Sequence, residues 1–227
     1  MIPHRILKNK KLKKTIGITG SFHSDICIYT AAVLSNLGMG VMVCDMTKDR
    51  EIMSLFPDFD VVPLSYMGAD YIRGYDEKLI QSGSYSCIII FADSKTPKEY
   101  LTKCSELYMV TGCDRRTVED TCEYMRKTCI TMNLIIRNIC PGEDRYKILD
   151  ILKEENAFVT DSYFLPFDAI DEGYRVAMQY KNVTAFKELS PQFAKLLGKI
   201  CLRISGASRT DVGRAYYLAK KGVSICA

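Results

Sequence analysis

The chain has 227 residues, of which 48% are hydrophobic and 26% charged, and a net charge of +4 at neutral pH. That length and balance fit one globular domain with a substantial core and exclude wholesale disorder, while so mild a charge is no argument for nucleic acid. No apolar run approaches the ~18 residues of a membrane span, and "MIPHRILKNKKLKK" lacks the apolar segment of a signal peptide, so a cytoplasmic protein is expected.

Residues 1–12 form a basic arm that, with Lys13 and Lys14, reads first as a solvated lead-in and second as a contact for anionic lipid or nucleic acid. A strand is predicted at Thr15–Thr19, then the turn "GSFHSD", then a helix over Ser24–Leu37 ended by Gly38. Further strands are predicted at Val41–Asp45, Val61–Ser65, Cys87–Phe91, Leu107–Thr111, Met132–Asn138 and Ala157–Thr160. Most of these runs are continuously apolar, as strands covered on both faces must be.

Between them, helical spacing runs through Pro97–Cys104, Asp114–Lys127 and Asp144–Glu155, with Asp114 as an N-cap. Two closing helices are expected at Ala169–Tyr180 and Pro191–Ile204, and a tail from Gly206 to residue 227. In the tail, Val212, Tyr216, Ala219 and Val223 share one face, a weak amphipathic pattern of the kind that touches membranes. The alternation predicts an α/β fold over 13–205: a three-layer, doubly wound, mainly parallel sheet with helices on both faces.

Ten cysteines form no C-x-x-C pair, and several sit in apolar runs such as "VMVCDM" and "SCIIIF". They read as reduced core thiols. With His4 and His23 the only histidines, no metal site is expected.

The opening strand, turn and helix have the order of a phosphate loop, in which backbone N–H groups cradle phosphates, a lysine reaches the β and γ phosphates, and a hydroxyl binds Mg²⁺. At this point the chain resembles the ParA/MinD family of P-loop ATPases, whose altered Walker A motif reads KGGVGKTT. The resemblance continues through "LSNLGMGVMVCDMT", "YSCIIIFADS", "ELYMVTGCDRRTVEDTCEYM", "MNLIIRNICP" and "YFLPFDAIDEGYRVAMQY", covering about Lys13 to Ser205.

Aligned without a gap, Gly20 and Ser21 fall in the loop, Phe22 on the glycine before the lysine, His23 on the lysine and Ser24 on the Mg²⁺ ligand. The resemblance implies that Asp45 helps organise metal and attacking water. Phe91 takes the place of an aspartate, with Asp93 two residues on, and Asn138 corresponds to an adenine contact.

Read from the residues alone, each has a plainer role. His23 is a capping or solvent-facing loop residue, Ser24 an N-cap, Asp45 and Asp93 caps or cleft walls at strand ends, and Asn138 a loop-backbone partner. The candidate binding set is Gly20, Ser21, His23, Ser24, Asp45, Asp93 and Asn138, with no catalytic residue.

The departures weigh on function. Without the lysine, the second, signature lysine or the strand-end carboxylate, phosphoryl transfer loses the electrostatics on which it depends. The expected cofactor is none, or ATP or ADP held weakly, with Mg²⁺ left open. The expectation is a non-hydrolysing pseudo-ATPase that works through a protein partner or homodimer, as a positioning, scaffold or regulatory component. Resemblance to the CpaE/TadZ localisation proteins points to a pilus or secretion apparatus. The alternatives are an active ATPase with an atypical Walker A motif and a nucleic-acid or membrane adaptor.

Overall fold

The computed structural model describes residues 13–21, 23–56, 62–142, 144–155, 158–180 and 188–222. The basic arm, Phe22 and Val223 lie outside them. Strands β1 (Lys14–Gly20), β2 (Val41–Asp45), β3 (Leu64–Tyr66), β4 (Ala69–Arg73), β5 (Cys87–Ala92), β6 (Glu106–Thr111), β7 (Met132–Ile139) and β8 (Val159–Pro166) form one sheet in the order β3-β4-β2-β5-β1-β6-β7-β8. Every neighbouring pair is parallel except β3 with β4.

The helices are α1 (Ser24–Asn36), α2 (Glu77–Ser82), α3 (Lys98–Leu101), α4 (Arg115–Thr128), α5 (Arg145–Glu155), α6 (Ala169–Gln179), α7 (Pro191–Ser205) and α8 (Arg209–Lys220). One face of the sheet, through Ile16, Ile18, Val43 and Ile135, packs on α1 and α7. The other, through Ile90, Met109, Leu134 and Ile136, packs on α4 and α5. The result is the expected three-layer, doubly wound α/β architecture. Because β1 lies between β5 and β6, the connection from β5 to β6 crosses it, which places a crevice at the carboxyl ends of these strands, where open α/β sheets bind ligands.

The structure differs from the predicted elements in several places, among them the short helix α2, which no predicted element covers. β3 begins at Leu64, later than predicted, and pairs with β4, an edge hairpin partner that Asp70 and Arg73 hide from an apolar-run reading. The third predicted helix shrinks to a single turn, α3, and β8 extends on to Pro166. Residues after Gly206 form α8, capped by the Ser208 hydroxyl accepting from the Asp211 N–H. Its Val212, Ala215 and Ala219 are buried in the α1/α7 core, so the face read as a membrane contact is occupied by the protein's own helices.

The nine cysteines among the described residues are free. Burial pushes the thiols of Cys44, Cys87 and Cys104 up to about 12, so they remain protonated packing groups.

Candidate functional site: the turn between β1 and α1

β1 continues through Gly20, which pairs with Val110 of β6, and Ser21 N–H still donates to the Val110 carbonyl at 2.9 Å. Gly20 has φ +114°, and a Cβ there would lie 2.0 Å from the Val110 oxygen, so only glycine fits. Since α1 starts at Ser24, residues 21–23 alone connect strand to helix.

His23 occupies the N-cap position of α1, yet its side chain makes no capping bond; Ser24 is the first helical residue rather than the cap. The imidazole is 2% exposed and lies 4.2 Å from the Phe91 ring, nearly parallel to it. Its Nε2 sits 3.1 Å from the Ala92 carbonyl oxygen, which can only accept, so Nε2 carries the proton and Nδ1 is left as an acceptor with no bonded partner among the described residues. Burial, reinforced by the nearby Arg137 charge, pushes the imidazole down to about 4 against the opposing pulls of the Ala92 carbonyl and Asp93. At neutral pH His23 is uncharged. Neither a solvent-facing nor a capping histidine, it is a buried one that faces the neighbouring strand end.

Asp45 is also spoken for. Its Oδ1 accepts from Thr47 N–H at 3.1 Å and Thr47 Oγ1 at 2.6 Å, and its Oδ2 from Ile52 N–H at 2.9 Å and Met53 N–H at 3.0 Å. Both oxygens are consumed in pinning the loop after β2. Burial raises its pKa even so, the four hydrogen bonds opposing.

Asp93 performs the same service on the other side. It accepts from Lys95 N–H at 2.8 Å, Thr96 Oγ1 at 3.1 Å and Lys48 N–H at 3.0 Å, joining the exits of β5 and β2. Its pKa is lowered: partial burial pushes up, but these bonds together outweigh it.

Asn138, with φ +60°, lies where β7 and β8 shift register, and its side chain is close enough to Glu172 of α6 to help lower that carboxylate's pKa. Beside it is a residue that the pattern reading passed over. Arg137 is 1% exposed and forms a two-pronged pair with Asp25 in the first turn of α1, at 2.9 and 3.0 Å. Glu172 stands 3.9 Å from the same guanidinium and is itself paired with Arg175. The signal was present, since an arginine inside the apolar run "NLIIRNI" must find a buried partner.

Two clefts flank the turn. One of about 360 Å³ opens toward α4, lined by Thr19, Gly20, Ser21, Asp93, Asp120, Glu123, Tyr124 and Lys127. Its lysine is paired with Glu123 at 2.5 Å. The other, about 550 Å³, lies on the α6 side and is lined by Gly20, Ser21, His23, Ser24, Asp49, Glu51 and Arg175 among others. Burial and the neighbouring carboxylates Asp45, Asp93 and Asp49 raise the Glu51 pKa. Acidic side chains outnumber basic ones in the lining of both clefts.

The turn thus gathers Gly20, Ser21, His23 and Ser24 around one strand end, with Asp93 beside the first cleft. Asp45 is turned into its own loop, and Asn138 belongs to the Arg137 cluster.

No protein-family model and no curated protein sequence matches the chain. Solved structures do. A ParA family ATPase from Chlorobium tepidum TLS aligns over 92% of this chain and 98% of its own at 13% identity, with a TM-score of 0.50. A chain of the MinC:MinD cell division protein complex of Aquifex aeolicus aligns over 86% and 97% at 15% identity and TM-score 0.62. A nucleotide-binding protein from Archaeoglobus fulgidus, in complex with ADP, aligns over 82% and 93% at 13% identity and TM-score 0.52. The fold is that of the ParA/MinD-like P-loop proteins.

Proposed function

We propose that this ParA/MinD-like P-loop fold is a pseudo-ATPase: it does not hydrolyse nucleotide, and acts through contact with a protein partner or a second copy as a positioning, scaffold or regulatory component. The observation that carries this reading is the stack of His23 on Phe91. These residues stand where the family resemblance places the phosphate lysine and the strand-end aspartate. Here the two replacements pack on each other, with the imidazole neutral and held to Ala92. Losing both charges in one contact removes electrostatic stabilisation from each side of a transferring phosphoryl group.

Neighbouring features support the same reading. With β1 extended to Gly20, the remaining turn is short and the Ser21 N–H is already engaged. The buried cation nearest in chemistry to a phosphate ligand, Arg137, is held by Asp25. Asp45 has both oxygens occupied, and the clefts are lined mainly by acids, so the donor set does not fit a magnesium-bound triphosphate.

Titration calorimetry with ATP and ADP, with and without Mg²⁺, tests the proposal alongside phosphate release. The expected result is no turnover and no binding in the micromolar range. Metal-dependent micromolar affinity with turnover overturns it and restores the reading of an active ATPase with an atypical loop. A nucleotide held weakly and left uncleaved is a narrower second reading, favoured by the open cleft of about 550 Å³ beside Ser24.

The sharpest form of the role is assembly at a pilus or secretion apparatus. It rests on the CpaE/TadZ resemblance, and affinity capture of the full chain with its chromosomal neighbours would test it. An adaptor role for nucleic acid or membrane rests on residues 1–12; salt-dependent DNA retention and liposome flotation test that form.

A further inference from the structure

The two edges of the sheet are finished differently. At one, β3 is three residues long and turns back antiparallel on β4, and an edge that short is poor at templating another strand. At the other, β8 runs for eight residues, and among the described residues no strand pairs with the side turned away from β7. Phe167 N–H donates to the Ile139 carbonyl at 3.0 Å. Backbone groups alternate sides along a strand, so Leu165 and Tyr163 also face β7, while the N–H and C=O groups of Ser162 and Phe164 point to the open side. Pro166 falls in the open phase, where its missing N–H takes no bond from the ladder.

Side chains frame that open side. A cleft of about 250 Å³ is lined by Arg145 of α5, by Ser162, Tyr163 and Phe164 of β8, and by Lys195 and Lys199 of α7 among others. Tyr163 packs on the α7 side of the sheet and Phe164 on the α5 side, so a cleft that touches both helices lies across the edge of the strand. Its lining holds three cations and no carboxylate, the reverse of the two clefts beside the turn between β1 and α1. All three are exposed, and among the described residues none forms an ion pair. Arg145 lies instead against the rings of Tyr146 and Phe164, 4.9 and 5.1 Å from their centroids, and Lys199 Nζ lies 5.6 Å from that of Tyr163. The acids next along the chain are engaged: Asp144 accepts from Tyr146 N–H at 3.0 Å, and Asp161 is held by Arg203.

We propose that β8 takes an added strand from a partner protein: an extended, acidic segment whose backbone bonds Ser162 and Phe164 and whose carboxylates meet Arg145, Lys195 and Lys199. In such an addition main-chain bonds supply affinity, and the side chains beside them select the partner. An extended segment points its side chains to the two faces in turn, and cations stand on both, Arg145 with α5 and the lysines with α7. A second β8 in that place would bring the same cations against themselves, which disfavours a copy of this chain. A polynucleotide would meet the cations and rings but offer no repeating donor to the open carbonyls of Ser162 and Phe164.

The proposal rests on the reading that the protein works by contact, and it names the kind of partner. It fails separately. Nucleotide calorimetry decides the pseudo-ATPase reading, and peptide binding without nucleotide decides this one.

The test selects a displayed library of random decapeptides on the full chain, then measures fluorescence anisotropy with the strongest sequence made synthetically. Sequences rich in Asp and Glu with strand-forming residues between them are expected. Their affinity should fall at least tenfold when Lys195→Glu and Lys199→Glu are combined, with an unchanged thermal midpoint showing that the variant still folds. A second measurement leaves the protein unaltered: methylating alternate backbone nitrogens of the peptide should abolish binding in the phase that faces β8 and spare it in the other. Hydrogen exchange of the Ser162 and Phe164 amides should slow when the peptide binds. No enrichment of acidic sequences, or an affinity indifferent to both lysines or to the phase of methylation, would overturn the proposal. So would a single-stranded DNA decamer or anionic vesicles bound more tightly through the same lysines. A peptide captured at another surface would refute this site while leaving the contact reading in place.

Discussion

Two connections of equal length leave the carboxyl edge of the sheet: residues 21–23 between β1 and α1, and residues 112–114 between β6 and α4. The second is an ordinary strand-to-helix turn. Asp114 caps α4, its carboxylate accepting from Thr117 N–H at 2.9 Å, and stays in contact with solvent. The first has the position of a phosphate loop but the length of its ordinary neighbour. Its cap residue turns its side chain into the protein, and the charge at the helix start is provided by Asp25, which satisfies an arginine instead of a ligand. A helix N-terminus favours an anion. In α4 a loop carboxylate supplies it, and in α1 a buried one does. The difference teaches that the anion site at the start of α1 is filled from within.

The largest effect expected from breaking this comparison is at Asp25 and Arg137. Removing either partner leaves the other charge buried, so Asp25→Ala or Arg137→Ala should cost roughly 3–5 kcal/mol in urea unfolding. A loss below 1 kcal/mol would mean that water reaches the pair. Next comes Asp45→Ala, which strands the Thr47, Ile52 and Met53 amides and should cost about 2–3 kcal/mol with no nucleotide present. A carboxylate kept for metal alone would leave stability untouched.

His23 sharpens the contrast through pH. Its folded pKa, about 4, lies below the unfolded value of 6.5, so between the two the unfolded chain binds more protons and stability falls as pH is lowered. Between pH 7 and 4.5 this amounts to roughly 2 kcal/mol, and it should vanish in His23→Gln when the two proteins are unfolded side by side. An equal loss in both proteins would place the titration elsewhere. The smallest effect is Asp114→Ala, about 1 kcal/mol for a lost cap. His23→Gln removes no such cap, so the two helix starts should respond to different substitutions.

The central strands were legible because burial on both faces writes itself as an unbroken apolar run, as in "CIIIFA". β4 was not, since at the hairpin edge Asp70 and Arg73 face partners and water. α8 was read as a tail with a weak amphipathic face that included Val212 and Ala219; its docking on the core was not legible because Ala215 and Ala219 pack closely while contributing little to an apolar pattern.

At the site, the absence of a lysine in the turn was readable but the packing of His23 was not. His23 stacks on a ring 68 residues away, and no local spacing encodes that. Asp45 showed the same limit. Its type and strand-end position suggested a ligand wall, while the four donors that occupy it come from a loop with no motif.

Gly20 bears on how such motifs are weighed. The space for its α-hydrogen is bounded by a main-chain oxygen of the adjacent strand, so replacement by any chiral residue would wedge the sheet apart whatever the turn does. A glycine is required in that slot whatever chemistry the turn performs. Its presence in a sequence scan is testimony about sheet spacing and none about chemistry.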